Sequence, residues 1–292
     1  MRTLAAAALT DPVALDDDLL VHGDNADVLG RLPAGAFDLV YLDPPFNTGR
    51  EQTRKTVRVR ADPDGTRNGF AGRRYATEEV VRRAFADTFD DYLAFLGPRL
   101  ERCRDLLADH GTLYLHLDPR ESHYAKVLLD EIFGRECFLN EIVWAYDFGA
   151  RTTKRWPAKH DTILVYVRDP ARYWFDSEEV DREPYMAPSL QTPERAARGK
   201  LPTDVWWHTI VGTTSRERTG YPTQKPEGVL RRIVTASSRP GGWCLDPFCG
   251  SGTLGAVAAG LGRRFVLVDC AEDAVELAGR RLTGPGTTKA AS

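Results

Sequence analysis

The chain has few of the features that mark membrane, metal-bound and disulfide-stabilised proteins. Its 292 residues contain five cysteines without a C-x-x-C pair and six histidines without metal-ligand spacing. No apolar run approaches the roughly 20 residues of a membrane-spanning helix. The short apolar run at 4–9 is soon followed by Asp16-Asp17-Asp18, which is unlike a signal peptide. These absences predict reduced cysteines, no resident metal, no membrane insertion and a cytoplasmic location.

Charge is distributed unevenly along the chain, although the net charge is only −3. Residues 1–40 carry two basic and seven acidic side chains, whereas residues 50–83 carry ten basic and five acidic ones. Glycines are interspersed among the basic residues of the second stretch. The pattern predicts a flexible basic loop over 50–83 that contacts phosphate groups, although a solvated loop without that role has the same composition.

The most informative segment is Asp43-Pro44-Pro45-Phe46, which follows the apolar run 37–42. The run is apolar enough for a buried parallel strand, and the two prolines cannot continue a central strand. Asp43 and Phe46 are therefore predicted on a stiff turn at the carboxyl end of a strand, where open α/β sheets bind ligands. A carboxylate, backbone carbonyls and an aromatic face suit a planar group that bears an amine, such as the exocyclic amino group of a nucleobase.

A second segment, 243–255, is typical of a strand, a glycine-rich turn and the start of a helix. Asp246 ends the strand, and Gly250 and Gly252 allow the backbone to approach a ligand. The helix N-terminus that follows favours a negative group. Asp269 ends the next predicted strand, where an acidic side chain is placed to hydrogen-bond a ribose.

The same glycines also satisfy G-x-G-x-x-G, the pattern of an NAD- or FAD-dependent oxidoreductase. Two features oppose that interpretation. Only residues 270–292 follow Asp269, whereas a dinucleotide normally spans two mononucleotide-binding halves. In addition, the carboxylate of Asp246 suits a cationic ligand, such as a sulfonium amino acid, better than a pyrophosphate.

Together, Asp43-Pro44-Pro45-Phe46 and the downstream segment 246–252 resemble the motifs of amino-group DNA methyltransferases. The catalytic motif precedes the cofactor motif, as in the permuted β group of that family. The motifs are similar to those of the modification subunits of type III restriction systems. Further matches occur in family order over most of the chain, at 90–92, 111–118, 160–166 and 221–226. No cysteine follows a proline, which excludes the cytosine-C5 methyltransferases.

The resemblance implies an α/β fold: a seven-stranded, mostly parallel Rossmann-like sheet with one antiparallel strand, helices on both faces and a small target-recognition insertion. The apolar runs also predict alternating strands and helices. Strands are predicted at 37–42, 112–117, 139–145, 162–167, 243–246 and 264–269. Helices are predicted at 77–86, 90–108, 121–133, 226–238, 252–261 and 271–282.

Three segments follow from this motif order. Residues 1–146 form the catalytic half of the methyltransferase domain and include the basic loop 50–83. Residues 147–215 form the target-recognition region, with a late sheet strand near 162–167. Residues 216–292 form the cofactor-binding half.

For catalysis, the resemblance implies transfer of a methyl group from S-adenosylmethionine to N6 of an adenine that has left the duplex. Asp43 would accept one hydrogen bond from the amino group, and a carbonyl of the Pro44-Pro45 turn would accept the second. The nitrogen lone pair would then point at the methyl group. Phe46 would stack on the base, and Asn47 would either pin the turn or touch the base. No covalent intermediate and no metal are required.

The resemblance also implies a set of cofactor-binding residues: Asp24, Lys225, Asp246, Phe248, Gly250, Ser251, Gly252, Thr253 and Asp269. Of these, Asp246 is expected near the methionine amino group and Asp269 at the ribose hydroxyls. Thr253 is expected to bind the cofactor carboxylate. Asp24 and Lys225 are the least specific matches, since an N-cap and a solvated lysine have the same residue types.

DNA contacts are predicted at Asn47, Arg54, Lys55, Arg58, Arg73, Arg74, Arg151, Lys154 and Arg155. The last three form a basic cluster beside Trp156. The aromatic groups Tyr173-Trp174-Phe175 and Trp206-Trp207 are expected to form a small core of the recognition region rather than to stack on bases. His116 and His160 are expected at strand ends or in the core.

Two other functions stay open at this point. Cytosine-N4 methylation uses the same pocket chemistry, but those enzymes more often carry serine where Asp43 stands. A non-catalytic DNA-binding subunit is the other alternative, and the intact motifs argue against it. Double-stranded DNA is the expected partner, with a second copy of the chain and a cognate restriction endonuclease as further candidates. Base-edge contacts and DNA shape determine the DNA sequence that is recognised, and no motif of the chain encodes them.

Overall fold

A computed structural model of the chain describes residues 1–47, 50–61, 67–68, 74–87, 89, 91–149 and 151–284. The chain divides into two compact units. The first comprises Met1–Pro44 and Leu93–Ser292, and the second comprises Pro45–Tyr92. The predicted boundaries of the catalytic, recognition and cofactor segments stay predictions.

The regular elements alternate along most of the chain. The strands are β1 (Arg2–Ala5), β2 (Leu19–His22), β3 (Phe37–Leu42), β4 (Arg50–Ala61), β5 (Arg67–Asn68), β6 (Arg74–Asp87), β7 (Leu107–Leu117), β8 (Phe138–Ala145), β9 (His160–Val167), β10 (Val205–Trp207), β11 (Trp243–Asp246) and β12 (Arg264–Asp269). The helices are α1 (Asn25–Arg31), α2 (Tyr92–Leu106), α3 (Ser122–Phe133), α4 (Pro193–Arg198), α5 (Glu227–Ser237), α6 (Thr253–Gly260) and α7 (Glu272–Thr283).

The first unit is built on one mixed sheet, whose described strands follow the order β1-β2-β12-β11-β3-β7-β9-β8-β10. Strand β9 runs antiparallel to both of its neighbours, and the other pairings are parallel. The α/β class and the single antiparallel strand are thus confirmed, but the sheet has nine strands instead of seven. The additional edge strands β1 and β10 are four and three residues long, too short to give a periodic sequence signal.

The second unit contains a three-stranded antiparallel sheet in the order β4-β6-β5. The helix predicted at 77–86 was therefore wrong, since these residues lie in β6. Two long strands also pass through the stretch 50–83, which was predicted to be a loop. The basic composition led to that error. Val57 and Val59 flank Arg58 with the period of two that a strand requires, a signal that the analysis of charge overlooked.

The remaining predictions of local structure agree more closely with the fold. The predicted strands at 37–42, 243–246 and 264–269 coincide with β3, β11 and β12. Apart from the helix predicted at 77–86, each predicted helix begins and ends within two residues of an observed helix. Helix α1 and strand β2 were missed. Both are short, and a run of seven residues or fewer carries little periodic information.

Apolar residues of the sheet and its flanking helices form the core of the first unit. Every residue of β3 is buried, and α5 buries Val229, Leu230, Ile233 and Val234 on the helical spacing that presents one face. Trp206 belongs to this same core instead of a separate small one, whereas Trp207 is 75% exposed. Within the described ranges, no helix combines the length and apolar character needed to cross a membrane.

The amino end of β3 carries a buried carboxylate with several partners. Asp38 Oδ1 lies 3.0 Å from His110 Nε2, and Asp38 Oδ2 accepts hydrogen bonds from the Arg239 backbone N–H at 3.0 Å and from Arg239 Nε at 3.2 Å. Burial alone would raise the pKa of Asp38. The hydrogen bonds from Arg239 and His110 outweigh burial and hold the pKa below its ordinary value.

We expect Asp38 to make the fold sensitive to acid. Because its pKa is lower in the folded than in the unfolded state, its contribution to stability is complete above the unfolded-state pKa of about 3.9. That contribution is lost as the pH falls through the folded-state pKa. Asp38→Asn should lower the free energy of unfolding at pH 7 by about 3 kcal/mol, because it leaves buried partners unpaired. Urea unfolding between pH 2 and 7 measures both effects.

Asp109→Asn is the matched control, since Asp109 pairs with Arg172 where both side chains are more than half exposed. Its effect should stay below about 1 kcal/mol. Equal losses of stability in the two variants would contradict a special role for Asp38.

Candidate active site

Three carboxylates meet at the carboxyl edge of the sheet because the strands that end in them are neighbours. Strands β12, β11 and β3 are adjacent and parallel, so their carboxyl ends lie at one edge. Asp43 directly follows β3, while Asp246 and Asp269 are the last residues of β11 and β12. The sheet therefore brings together the catalytic and cofactor motifs predicted from the sequence.

Asp43 has one satisfied and one unsatisfied oxygen. Its Oδ2 forms an ion pair with Lys225 Nζ. Its Oδ1 is buried, accepts no hydrogen bond within the described part of the chain and lies 3.8 Å from His116 Nδ1. A buried carboxylate oxygen without a donor is unfavourable. The site thus offers a strong acceptor to a group that can donate a hydrogen bond.

Pro44 is buried and is the last residue of the first segment of the first unit. Pro45, Phe46 and Asn47 belong to the second unit. Asn47 has a positive φ of 51°, and its Oδ1 accepts a hydrogen bond from the backbone N–H of Phe89 at 3.1 Å. This contact favours the interpretation in which Asn47 pins the backbone. The roles of Pro45 and Phe46 at a bound base stay predictions.

The glycine-rich turn is held by the carboxylates of the site. Asp246 Oδ1 accepts from the Phe248 N–H at 3.0 Å, and Asp269 Oδ2 accepts from the Gly250 N–H at 2.8 Å. Asp269 Oδ1 also accepts from the Ala271 N–H at 2.9 Å. Backbone donors thereby stabilise two carboxylates that would otherwise be buried without partners.

The electrostatics of this edge favour a cation. Burial raises the pKa of Asp246 well above its ordinary value, and repulsion from Asp43 and Asp269 adds to the effect of burial. The Phe248 N–H and the charge of Lys225 act in the opposite direction. The pKa of Asp269 is also raised, again mainly by burial. A second positive charge at this edge would relieve the repulsion, which is the property expected of a site for a sulfonium amino acid.

The hydroxyl of Thr253, predicted to bind the cofactor carboxylate, already has partners inside the protein. It accepts from Arg281 Nη1 at 2.9 Å and donates to the Lys225 carbonyl at 3.3 Å. Arg281 also donates to the Ser251 carbonyl at 3.3 Å and to Glu227 Oε1 at 2.7 Å. The sequence analysis missed Arg281, since it lies in α7, outside every motif.

Asp24 caps α1, as one interpretation of its residue type allowed. Its Oδ1 accepts from the Ala26 N–H at 2.8 Å and from Arg99 Nη2 at 3.2 Å. The adjacent Asn25 donates from Nδ2 to the carbonyl of Pro247 at 2.8 Å, which ties the start of α1 to the glycine-rich turn. The predicted contact of Asp24 with a cofactor stays a prediction.

Behind Asp43 lies a hydrogen-bonded network that the sequence analysis did not assemble. Tyr41 Oη lies 2.8 Å from His116 Nδ1, and His116 Nε2 lies 3.1 Å from Asp161 Oδ2. Tyr146 Oη donates to Asp161 Oδ1 at 3.1 Å. The prediction of His116 as a core residue is confirmed by its complete burial. Its proximity to Asp43 depends on the neighbouring positions of β3, β7 and β9, and no local motif encodes that order.

The predicted DNA contacts lie in several parts of the fold. Arg151, Lys154 and Arg155 are exposed beside Trp156, which is 94% exposed. The other predicted basic residues fall on β4 or at the start of β6, except for Arg73, which is outside the described residues: Arg54, Lys55, Arg58 and Arg74. Their contact with DNA stays a prediction.

The five cysteines are free thiols. In the described segments, no group of three or more histidine, cysteine, aspartate or glutamate side chains is arranged to hold a metal ion.

We expect the glycine-rich turn to be sensitive to a single methyl group. Gly252 has a φ of 71°, and a Cβ atom there would lie 2.9 Å from Ala278 Cβ. Gly262 has a similar φ of 69° with open space around it. Both alanine variants carry about 1–2 kcal/mol of left-handed backbone strain. Gly252→Ala should lose about 1–3 kcal/mol more through overpacking. Thermal or urea unfolding measures the difference, and equal losses would show that the close approach is unimportant.

The sequence matches the DNA methylase family over residues 37–280. It is 29% identical over 266 residues to the Type II methyltransferase M.HpaI of Haemophilus parainfluenzae, which covers 91% of this chain and 74% of that protein. It is 28% identical over 271 residues to the DNA adenine methyltransferase YhdJ of Escherichia coli (strain K12), which covers 90% of this chain and 82% of that protein.

Among solved structures, the fold is similar to that of the PvuII DNA methyltransferase (cytosine-N4-specific), with a TM-score of 0.63 and 11% identity over 97% of this chain and 92% of that one. This likeness shows the fold alone. The prediction that S-adenosylmethionine is the methyl donor is confirmed by the homologous methyltransferases. Since the family match extends over most of the chain and includes both motifs, the chain belongs to the DNA methylase family of amino-group methyltransferases.

Proposed function

We propose that the chain methylates the N6 amino group of an adenine that has been flipped out of duplex DNA. The observation that carries this proposal is the buried Asp43 Oδ1, an acceptor without a donor at the carboxyl edge of the sheet. An exocyclic amino group supplies the missing donor, and a base must leave the helix to reach such a position.

The chain's contribution to chemistry is positioning and electrostatics. The lone pair of an adenine amino group is delocalised into the ring, so the nitrogen is a poor nucleophile. Asp43 Oδ1 accepts one amino hydrogen, and a carbonyl of the Pro44-Pro45 turn accepts the other, which favours a tetrahedral nitrogen with a directed lone pair. Lys225 holds the second oxygen of Asp43 and thereby fixes the carboxylate plane. Phe46 stacks on the base. Such alignment lowers the barrier without a covalent intermediate.

Bound S-adenosylmethionine supplies an electrophilic methyl group on a sulfonium. Asp246 pairs with its amino group, and Asp269 holds the ribose hydroxyls. The backbone of the turn 248–252 would line the cofactor site, with Thr253, Lys225 and Asp24 as further residues that would hold the cofactor. Support for this assignment comes from the adjacent strand ends that bring Asp246 and Asp269 together, and from the repulsion by Asp43 and Asp269 that adds to the effect of burial on the pKa of Asp246.

Adenine is preferred over cytosine because the acceptor is a carboxylate, Asp43, where cytosine-N4 enzymes more often carry serine. The relative named as a DNA adenine methyltransferase supports this choice. Cytosine-N4 methylation, which uses the same pocket chemistry, is the second candidate. A non-catalytic DNA-binding subunit is the alternative of another class.

Double-stranded DNA is the proposed partner, with Arg151, Lys154 and Arg155 as proposed contacts in the first unit and the basic residues of β4 and β6 as separate proposed contacts in the second. The exposure of those three side chains supports phosphate contact. A second copy of the chain and a cognate restriction endonuclease are further proposed partners, the latter because a relative is named a Type II methyltransferase.

Mass spectrometry of nucleosides tests the proposed function. Wild-type protein incubated with unmethylated DNA and S-adenosylmethionine should produce N6-methyladenine. Asp43→Asn should lower the methylation rate by about 10²-fold or more, because it removes a preorganised charged acceptor. The variant should still bind the cofactor, and Asp109→Asn should behave as wild type. N4-methylcytosine would instead establish the second candidate. Intact cofactor binding without either product would contradict catalysis.

A second prediction concerns the pH dependence of cofactor affinity. Asp246 must be ionised to pair with the amino group of the cofactor, and its pKa in the free protein is raised. Affinity should therefore fall about tenfold for each unit of pH below that pKa, with proton release on binding. Calorimetry between pH 5 and 7 measures both quantities.

Asp246→Asn should weaken binding by about tenfold or more, since a hydrogen bond to a charged group contributes about 1.5–3 kcal/mol. The variant should also lose the pH dependence. A wild-type affinity with the same pH dependence as that of Asp246→Asn would rule out the proposed role of Asp246.

A further inference from the structure

Methylation of an amino group leaves a proton to be removed. The nitrogen gains a carbon, and one of its N–H bonds must then break with the electron pair remaining on nitrogen. Lys225, the cation at Asp43, cannot accept that proton, because its ammonium group has no lone pair. Asp43 can accept it, but must lose it again before the next turnover. A base behind Asp43 would take up that proton within the protein and return Asp43 to its ionised form.

His116 is placed to be that base. It is fully buried in β7, and its Nδ1 lies 3.8 Å from the unsatisfied Asp43 Oδ1. Separations of this length in a free enzyme commonly shorten when substrate binds. On the other side of the ring, Nε2 lies 3.1 Å from Asp161 Oδ2. An imidazole between two carboxylates is stabilised when it becomes positively charged.

Asp161 determines which ring nitrogen of His116 carries the proton. Burial tends to raise the pKa of Asp161, but hydrogen bonds and attraction from His116, with help from Lys225 and Tyr146, hold the pKa below its ordinary value. Asp161 is thus an ionised acceptor, and the N–H of a neutral His116 must be on Nε2. The lone pair of Nδ1 is then the acceptor of the ring, on the nitrogen that lies 3.8 Å from Asp43 Oδ1.

The hydroxyl of Tyr41 forms a hydrogen bond with Nδ1 of His116 but does not release its own proton there. Burial raises the pKa of Tyr41 well above its ordinary value, with further contributions from the charges of Asp43, Asp246 and Asp161. Its hydroxyl therefore stays protonated and donates to Nδ1 at 2.8 Å. Rotation of this hydroxyl about its C–O bond frees the lone pair of Nδ1.

The remaining neighbours complete the surroundings of the ring. Trp144 packs edge-on against His116 with ring centroids 5.4 Å apart, and its Nε1 donates to the His208 carbonyl at 2.7 Å. Among the described residues, Tyr41, Asp43 and Asp161 lie against His116, and Tyr146, Lys225 and Asp246 interact in turn with these three.

We propose that His116, oriented by Asp161, takes up through Asp43 the proton that the amino nitrogen loses after methylation. The nitrogen–carbon bond forms as the carbon–sulfur bond breaks. The proton then passes from nitrogen to Asp43 Oδ1 and onward to His116 Nδ1, which restores the Asp43 carboxylate and leaves an imidazolium against Asp161. This inference rests on the proposed methylation of an exocyclic amino group.

The first test is the pH dependence of the single-turnover methylation rate. In the wild type, the rate should rise with pH to a plateau. His116→Gln should lower the plateau by about 10²-fold or more and remove the inflection, since an amide cannot accept the proton. Asp161→Asn should keep the inflection but move it to lower pH by about one unit or more, because the imidazolium loses a stabilising charge.

His110→Gln is the matched control. His110 also pairs with a buried carboxylate, Asp38, but at the opposite end of β3. This variant should retain the rate and the inflection. An active wild type whose rate and pH profile survive His116→Gln would overturn the inference alone, whereas a wild type with no methylated base would overturn the proposed function. If His116→Gln fails to fold, an unmoved inflection in Asp161→Asn would overturn the inference.

A second measurement does not depend on activity. In protein labelled with ¹⁵N-histidine, the ring nitrogens of His116 report its tautomer and its titration directly. We expect an Nε2–H tautomer at high pH and a titration midpoint that moves to lower pH in both Asp161→Asn and Asp43→Asn. An Nδ1–H tautomer, or a midpoint unchanged by Asp43→Asn, would show that the ring is not coupled to Asp43.

Discussion

The parallel pairing of β3 with β11 is the constraint on which the active site depends. It brings Asp43 next to Asp246, about 200 residues later in the sequence, and the pairing of β11 with β12 adds Asp269. Like charges at one edge repel one another. The fold stabilises them with backbone N–H groups of Phe248 and Gly250 and with a single lysine. The repulsion that remains would be relieved by a cationic ligand at this edge.

The two ends of β3 show how the same chemical group serves different purposes. Asp38 and Asp43 are carboxylates at opposite ends of one buried strand. Every oxygen of Asp38 has a hydrogen-bonding partner, and its pKa is lowered, as expected of a group that stabilises the fold. Asp43 keeps one buried oxygen without a donor. A fold tolerates an unsatisfied acceptor at a functional site, where a ligand completes it, and this difference between Asp38 and Asp43 supports the catalytic role proposed for Asp43.

The features that could be predicted from the sequence are those encoded within a few adjacent residues. The proline turn at Asp43, the glycine turn after Asp246 and the strand end at Asp269 each have a local signature, and the structure places all three together. The β-sheet of the second unit was missed, because a basic composition hid its alternation. The network of His116 with Asp161, and the role of Arg281, could not be predicted. They depend on which strands are neighbours and on where the last helix packs, and these properties arise from the whole fold.

Lys225 links the separate parts of this site. It forms an ion pair with Asp43, its charge opposes the rise in the pKa of Asp246, and it helps lower the pKa of Asp161. One cation therefore acts on three carboxylates: the proposed acceptor of the amino group, the proposed partner of the cofactor and the partner of His116. A positive charge that binds beside Asp246 would interact with the same carboxylates as Lys225. Cofactor binding and the protonation state around the amino group are for that reason coupled through charge, without any movement of the backbone.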